Sequence, residues 1–194
     1  MITVAALYVD PRGPYPKMPG VECWDEQRDA RNYAGPHPVV AHPPCGPWGR
    51  LARMCRKQPA ELGPLAVAQV RRWGGALEHP AGSRLWSACN LPRPGELPDT
   101  FGGITIEVNQ VDWGHVAEKK TWIYLVGCRP KRYPRMPRQR ATHWVCGSRV
   151  PRASGGVRPA GMKVCSSQQR RRTPPAFAEF LVDLARQRRR EGPP

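Results

Sequence analysis

Short apolar runs separated by proline- and glycine-rich turns make up most of the first 127 residues of the chain. Apolar and β-branched residues fill these runs and turn-forming residues bound them, so the pattern predicts short strands. The runs are residues 2–9, 20–24, 38–41, 74–80, 104–111 and 121–127. Residues 60–72 carry a helical pattern instead, with Gly63-Pro64 at its start. Because strand and helix signals alternate, we expect an α/β, Rossmann-like fold with a mostly parallel sheet and flanking helices.

The remaining third of the chain has a different pattern. Residues 128–172 contain many arginines and prolines and few aliphatic residues, which predicts a basic, loop-rich insert without a core of its own. Residues 173–194 predict a last helix from about Pro174 to Arg190, with Thr173 as its N-cap and an apolar face that packs on the core. We therefore divide the chain into an α/β core over 1–127, the insert and the C-terminal helix.

The charge of the chain indicates a polyanionic partner. Its 31 Lys and Arg residues against 15 Asp and Glu give a net charge of +16 and a pI near 10.4. Charge kept for solubility, or an arginine-rich composition from a GC-rich genome, is the alternative. The excess is uneven, however, and concentrates in residues 129–172 and 186–190. This distribution favours nucleic acid as the partner.

Neither the hydropathy nor the cysteines indicate a membrane or a secreted protein. No apolar run approaches the roughly 20 residues that span a bilayer, and the start MITVAALYVD lacks the charged region of a signal peptide. The seven cysteines form no CxxC pair, so a disulfide framework is not expected. His143-x-x-Cys146 has ligand-like spacing, but the intervals to Cys128 and Cys165 fit no standard zinc pattern, and we predict no metal. We expect an intracellular, cytoplasmic monomer.

One cysteine follows a strand directly. Val39-Val40-Ala41 predicts a buried strand that Pro43-Pro44 stops, and Cys45 comes next. Open α/β sheets place their ligand crevices at the carboxyl ends of their strands. Cys45 is therefore a candidate nucleophile, and a buried loop cysteine is the alternative.

Further strand-end motifs follow in order, and together they resemble a known family. After Pro44-Cys45 come Glu78-His79-Pro80, then Gln110-x-x-Trp113-Gly114 leading through Lys119-Lys120-x-Trp122 into a strand that ends Val126-Gly127. An arginine-rich segment, 170–172, precedes the closing helix. In order and chemistry these motifs resemble the cytosine-5 DNA methyltransferases over residues 38 to about 185. The chain looks like a compact, phage-type relative without the usual target-recognition domain.

The resemblance implies a role for each of these residues. Cys45 would add to carbon 6 of a flipped cytosine, and Glu78 would hold the N3 edge of the ring, protonating it or hydrogen-bonding to it. Lys119 and Lys120 would hold phosphate or the carbonyl of the base. The remaining DNA contacts would come from arginines of the basic segment. These are Arg132, Arg135, Arg138, Arg140, Arg170 and Arg171.

Several of these residues also have simpler interpretations. Glu78 can cap or pair with an arginine, and the two lysines can be a solvated strand start. His42 either lowers the pKa of the Cys45 thiol or packs against Trp48. His79 stands where the family has asparagine, so it either keeps a polar contact or orients Glu78.

The resemblance also implies S-adenosylmethionine as the cofactor, held after the first two strands. The family has Phe-x-Gly-x-Gly-Gly after its first strand, but residues 10–16 here contain one glycine and three prolines. Prolines remove the backbone amides that bind a ligand, so this loop departs from the pattern. The candidate cofactor residues are Asp10, Gly13 and Asp25, the last as a ribose ligand.

Two other functions fit the same residues. Addition at carbon 6 also activates carbon 4 to water and carbon 5 to other electrophiles, so a cytosine deaminase or a hypermodification enzyme can use the same Cys45 and Glu78. A catalytically inactive protein that binds DNA and masks or flips bases is the alternative outside enzyme chemistry.

Overall fold

The computed structural model describes residues 1–49, 52, 59–130, 137, 139–145 and 160–188. These residues form a mixed α/β fold, broadly Rossmann-like, in which helices flank a six-stranded sheet. The strands are β1 (Val4–Leu7), β2 (Val21–Trp24), β3 (Val39–Ala41), β4 (Gly75–Pro80), β5 (Ile104–Asn109) and β6 (Lys120–Val126). Their order across the sheet is β2-β1-β3-β4-β6-β5. Each strand falls within one of the predicted runs or begins a single residue before it.

The sheet has a parallel half and an antiparallel half. β1 pairs in parallel with β2 and β3, and β3 pairs in parallel with β4. β6 runs antiparallel to both of its neighbours, β4 and β5. Residues 110–119, which join β5 to β6, are too few for the crossover of about a dozen or more residues that parallel neighbours need. The α/β class is therefore confirmed, and the mostly parallel arrangement is modified by one reversed strand.

Helices bury the two faces of the sheet against separate cores. Alternate residues of β1 show the division, since Val4 and Ala6 belong to one core and Ala5 and Leu7 to the other. Helix α1 (Leu62–Trp73) and the short helix α2 (Arg84–Ala88) pack in the second core. The last helix packs in the first core, and it begins one residue later than predicted: Pro174 is its N-cap in place of Thr173.

The described parts of 128–172 contain little regular structure. Strands β7 (His143–Trp144) and β8 (Lys163–Val164) form a two-residue parallel pair, and helix α3 (Ser167–Arg171) follows behind a capping box at Ser166. The last helix, α4 (Pro175–Arg186), comes directly after. The buried ring of His115 contacts α3, with its Nε2 3.0 Å from the Gln169 carbonyl oxygen. The basic segment therefore ends against the loop that leads into β6.

Three expectations from the sequence can be compared with the structure only over the described residues. Among those residues, no helix has the length and apolarity needed to cross a membrane. Cys23, Cys45, Cys89, Cys128 and Cys165 form no disulfide bonds. The described ranges also contain no group of three or more His, Cys, Asp or Glu side chains arranged to hold a metal ion, and Cys146 lies outside those ranges.

Candidate active site at the strand ends

The carboxyl ends of β1, β3 and β4 lie side by side and bring distant residues together. β3 continues one residue beyond its last strand position, where the His42 amide donates to the Leu7 carbonyl at the end of β1 (3.0 Å). Glu78 lies near the end of β4, next to β3 in the sheet. Tyr15 belongs to a single 3-10 turn, Tyr15–Lys17, that follows β1. The side chains of Tyr15, His42 and Glu78 meet at this edge.

The carboxylate of Glu78 is nearly buried, at 8% exposure, and basic or amide groups surround it. The Nδ1 atom of His42 lies 3.0 Å from its Oε2. Gln110 donates from Nε2 to its Oε1 at 2.9 Å, and the Nζ of Lys119 lies 4.0 Å from the same oxygen. No arginine pairs with Glu78 among the described residues, so the simple arginine-partner interpretation is not supported there.

These partners keep Glu78 ionised. Burial alone would raise the pKa of this carboxyl, because a charged group loses hydration inside the protein. The charge of Lys119 and the hydrogen bond from His42 outweigh burial and lower the pKa of Glu78 to about 2. Glu78 is therefore a carboxylate at neutral pH, a hydrogen-bond acceptor that holds no proton to donate.

His42 contacts Tyr15 on its other side. The hydroxyl of Tyr15 lies 2.5 Å from the Nε2 of His42, and the two rings are tilted with centroids 5.4 Å apart. Tyr15 is 1% exposed, and its burial raises its pKa well above the ordinary value near 10. The phenol therefore keeps its proton at neutral pH and is able to donate it to Nε2. No sequence signal singled out Tyr15.

Gln110 connects Glu78 to the start of β6. Its Nε2 also donates to the Oγ1 of Thr121 at 2.9 Å, and that hydroxyl in turn donates to the Lys119 carbonyl at 3.1 Å. The amide orientation follows from these contacts, because both of its neighbours accept. The sequence quoted Gln110 only as part of a motif. Its strand-end position beside Lys119 was the available signal for a role at Glu78.

Cys45 is exposed, which excludes the interpretation as a buried loop cysteine. It precedes the 3-10 turn Gly46–Trp48, which the amides of Trp48 and Gly49 close by donating to the Cys45 carbonyl (3.2 and 3.0 Å). Cys45 comes three residues after His42, so their Cα atoms are at most about 10 Å apart. The thiol therefore lies on the loop that leaves the Glu78 site, open to solvent.

The two lysines have different surroundings. Lys119 has a side chain that is 15% exposed and directed at Glu78. Lys120, the first residue of β6, is 69% exposed and lies 3.9 Å from Glu107. The structure therefore brings Lys119 into the site and leaves Lys120 on the surface.

His79 lies in the opposite core from Glu78. Its ring is 1% exposed, 6.3 Å from the ring of Trp86 between centroids, and neither ring nitrogen has a hydrogen-bond partner within the described ranges. Burial is the main cause that lowers the pKa of His79 to about 4, against the opposing charge of Glu78. The ring is neutral at pH 7, and it does not orient Glu78 through a hydrogen bond.

An open depression of about 610 Å³ lies at the ends of β1 and β2, and Asp10 and Asp25 are among its lining residues. The Asp25 carboxylate caps its own turn by accepting from the amides of Gln27 and Arg28. The loop after β1 uses its amides internally: Arg12 donates to the Asp10 side chain and Gly13 to the Asp10 carbonyl. The residues present fit the hydroxyl-bearing end of a nucleoside and form no amide cradle.

The candidate DNA-contacting arginines are only partly within the described ranges. Arg140 and Arg171 are exposed, and Arg170 is half-buried with its Nη2 3.1 Å from the Ser167 hydroxyl. Arg132, Arg135 and Arg138 lie outside the described residues. His115, which contacts Gln169 of the basic helix α3, lies in the same 110–119 connection as Lys119.

Comparison with known proteins does not add a family to this geometry. No protein-family model matches the chain, and no curated protein matches it significantly.

Proposed function

We propose that the chain is a DNA cytosine-modifying enzyme of the cytosine-5 methyltransferase type. The observation that carries the proposal is that a thiol and an ionised carboxylate lie at the ends of two neighbouring strands. An exposed thiol, Cys45, follows β3, and a buried carboxylate held ionised, Glu78, lies at the end of β4. The sequence resemblance assigns these two residues the same partnership.

The chemistry requires both groups. Carbon 5 of cytosine becomes a nucleophile only after something adds to carbon 6, and a thiolate is the strongest side-chain nucleophile for that addition at neutral pH. The Cys45 sulfur forms a bond to carbon 6, and the electron pair of the C5–C6 double bond moves into the ring. Once carbon 5 carries the new group and loses its proton, the C–S bond breaks and the double bond returns.

Glu78 stabilises the charge distribution of this addition. As a carboxylate it accepts hydrogen bonds from the C4 amino group and from a protonated N3 of the flipped base. A carboxylate offers about four acceptor positions, of which His42 and Gln110 occupy two. The low pKa of Glu78 favours this accepting role over direct protonation of N3.

The depression at Asp10 and Asp25 is the proposed cofactor site. Asp25 would accept from the ribose hydroxyls of S-adenosylmethionine, with Asp10 in the adjoining wall, whereas Gly13 is not among the residues that line the depression. When bound, this cofactor supplies an electrophilic methyl group. Because the amides of Arg12 and Gly13 are already used, the carboxylate and adenine contacts would have to come from elsewhere in the chain.

The internal hydrogen bonds of the loop after β1 support a second candidate reaction. Because the loop amides are used internally, the chain is also suited to a reaction that needs no S-adenosylmethionine. Carbon 5 of the Cys45 adduct then takes up a proton from solvent, water attacks carbon 4 and ammonia leaves. Loss of the carbon 5 proton to solvent and of the Cys45 thiolate from carbon 6 yields uracil. Cys45 and Glu78 keep their roles in this deamination.

Mass spectrometry of nucleosides from DNA exposed to the protein tests the proposal. Purified protein is incubated with duplex DNA, with and without S-adenosylmethionine. 5-Methylcytosine formed only with the cofactor supports methyl transfer, and uracil formed without it supports deamination. Unmodified cytosine under both conditions, from protein that binds the same DNA, would identify a non-catalytic DNA-binding protein and overturn the proposal.

A further inference from the structure

Three side chains from three strand ends form one hydrogen-bonded chain, Tyr15–His42–Glu78. The hydroxyl of Tyr15 lies 2.5 Å from Nε2 of His42, and Nδ1 of His42 lies 3.0 Å from Oε2 of Glu78. We propose that His42 is a positioning residue that fixes the Glu78 carboxylate, and that Tyr15 selects the imidazole tautomer that makes this possible. The inference rests on the proposed function, because it assigns roles around the same carboxylate.

The tautomer of His42 follows from its two neighbours. The carboxylate of Glu78 only accepts hydrogen bonds, so the Nδ1 atom facing it must carry a hydrogen. Tyr15 keeps its proton because burial raises its pKa, and it can donate to Nε2 only if that nitrogen has a free lone pair. The opposite tautomer would set the Nδ1 lone pair against the carboxylate oxygen. With Tyr15 as the donor, both contacts are met by a neutral ring that carries hydrogen on Nδ1 and none on Nε2.

The contact decides how Glu78 faces a substrate. The last torsion of a glutamate side chain is broad, so burial alone does not fix the plane of the carboxylate. Here His42 holds Oε2 while Gln110 holds Oε1. His42 follows β3, on one side of β4 in the sheet, and Gln110 lies on the β5–β6 connection, on the other side. The remaining acceptor positions of the carboxylate are thereby fixed in direction. This preorganisation is what a group that recognises a flipped base requires.

Isosteric variants of His42 separate positioning from packing. The amide nitrogen of asparagine occupies the place of Nδ1, and that of glutamine occupies the place of Nε2. His42→Asn therefore retains a donor for Glu78, His42→Gln does not, and His42→Ala removes the side-chain donor altogether. Tyr15→Phe keeps the ring and removes only the donor to Nε2. His37→Asn is the matched control, since His37 pairs with Glu22 at 3.8 Å outside the site.

The readout is the rate of covalent adduct formation with duplex DNA that carries 5-fluorocytosine in the presence of S-adenosylmethionine, whose methyl group makes the adduct stable. The dissociation constant for the same DNA is measured beside it. We expect His42→Ala and His42→Gln to slow the adduct by about 10- to 100-fold with DNA affinity unchanged, as loss of an orienting partner does. His42→Asn should recover most of that rate, and His37→Asn should match the wild type. Equal rates for His42→Ala and wild type, or equal losses for His42→Asn and His42→Gln, would overturn the inference.

Nitrogen NMR of the labelled imidazoles reports the tautomer without depending on turnover. We expect the His42 ring of the wild type to carry hydrogen on Nδ1, and Tyr15→Phe to give a mixture. A wild-type ring with hydrogen on Nε2 overturns the inference while leaving the proposed function in place. Wild-type protein that forms no adduct under any condition overturns the proposed function and the positioning role together. Adduct formation that His42→Ala leaves unchanged overturns the inference alone.

Discussion

Lys119 and Glu78 form an ion pair across the reversed strand, with 4.0 Å between Nζ and Oε1, while the next lysine faces Glu107. Adjacent residues on an extended chain point to opposite sides, so only one of two consecutive lysines can enter a site beneath the strand end. Lys119 is the one enclosed, and its charge is the largest of the effects that lower the pKa of Glu78 against burial.

Lys119→Gln should therefore raise the pKa of Glu78 toward its ordinary value. The acid limb of adduct formation, where Glu78 becomes protonated and stops accepting, should move upward by about 1 to 3 pH units, the usual effect of an opposite charge at this distance. The pH profile of the adduct rate measures the shift. Lys120→Gln is the matched control and should leave the profile unchanged. Equal shifts in both variants would show that Lys119 does not act through Glu78.

Buried His79 should make folding stability fall as the pH drops. Its pKa is about 4 in the folded protein and near 6.5 when exposed, so the unfolded chain takes up a proton in this interval that the folded protein does not. The resulting loss is absent above pH 6.5 and reaches about 3 kcal/mol at pH 4. Urea unfolding between pH 7 and 4 measures it, and His79→Leu should flatten this part of the curve. His37→Gln, at a partly exposed histidine, should leave the curve as it is; an unaltered slope in His79→Leu would contradict the assignment.

Glu78 should add a second loss at lower pH. Its folded pKa of about 2 lies below the ordinary value of 4.5, so its contribution is complete above pH 4.5 and disappears as the pH falls toward 2. Glu78→Gln should remove this dependence and leave the interval from 6.5 to 4 unchanged. The exposed carboxylate of Glu107 provides the control, because Glu107→Gln should retain the wild-type curve. If Glu78→Gln titrates like the wild type below pH 4.5, Glu78 is not the ionised group described above.

The strands were predictable from the sequence because their patterns are local, but their arrangement was not. Runs such as 38–41 and 74–80 carry apolar residues between turn formers, and the structure places β3 and β4 there. No local pattern encodes the direction of β6, which follows from the short connection after β5.

The candidate site was predictable only where its residues are marked by their local position in the sequence. Cys45 and Glu78 stood out because each follows or ends a strand. The contact of Tyr15 with His42 depends on β1 lying beside β3, and strand order is a property of the whole sheet. The different environments of Glu78 and His79 likewise required the alternation of β4 to be fixed relative to both cores.

DNA binding should depend steeply on salt. If about 6 phosphates are contacted, affinity should fall on the order of 1,000-fold between 50 and 200 mM salt. A double variant, Arg170→Gln with Arg171→Gln, should reduce the log–log slope by up to about 2, because each phosphate that is no longer neutralised lowers the slope by about 1. Arg31→Gln is the control, because Arg31 is already paired with Asp29 at 2.8 Å. A slope that the double variant leaves unchanged would remove helix α3 from the DNA surface.

Formation of a covalent bond between Cys45 and cytosine is the most direct test of the proposed function. Duplex DNA with 5-fluorocytosine is incubated with the protein, with and without S-adenosylmethionine, and intact-mass and peptide analysis locate any adduct. Once carbon 5 has received the methyl group, the fluorine blocks the proton loss that releases the enzyme, whereas without the cofactor the addition reverses. We therefore expect a stable adduct on Cys45 only with S-adenosylmethionine, and Cys45→Ser should abolish it, because an alkoxide is scarcely populated at neutral pH. Cys89→Ser is the matched control and should form the adduct like the wild type. An adduct on another residue, or undiminished cytosine modification by Cys45→Ser, would contradict the account.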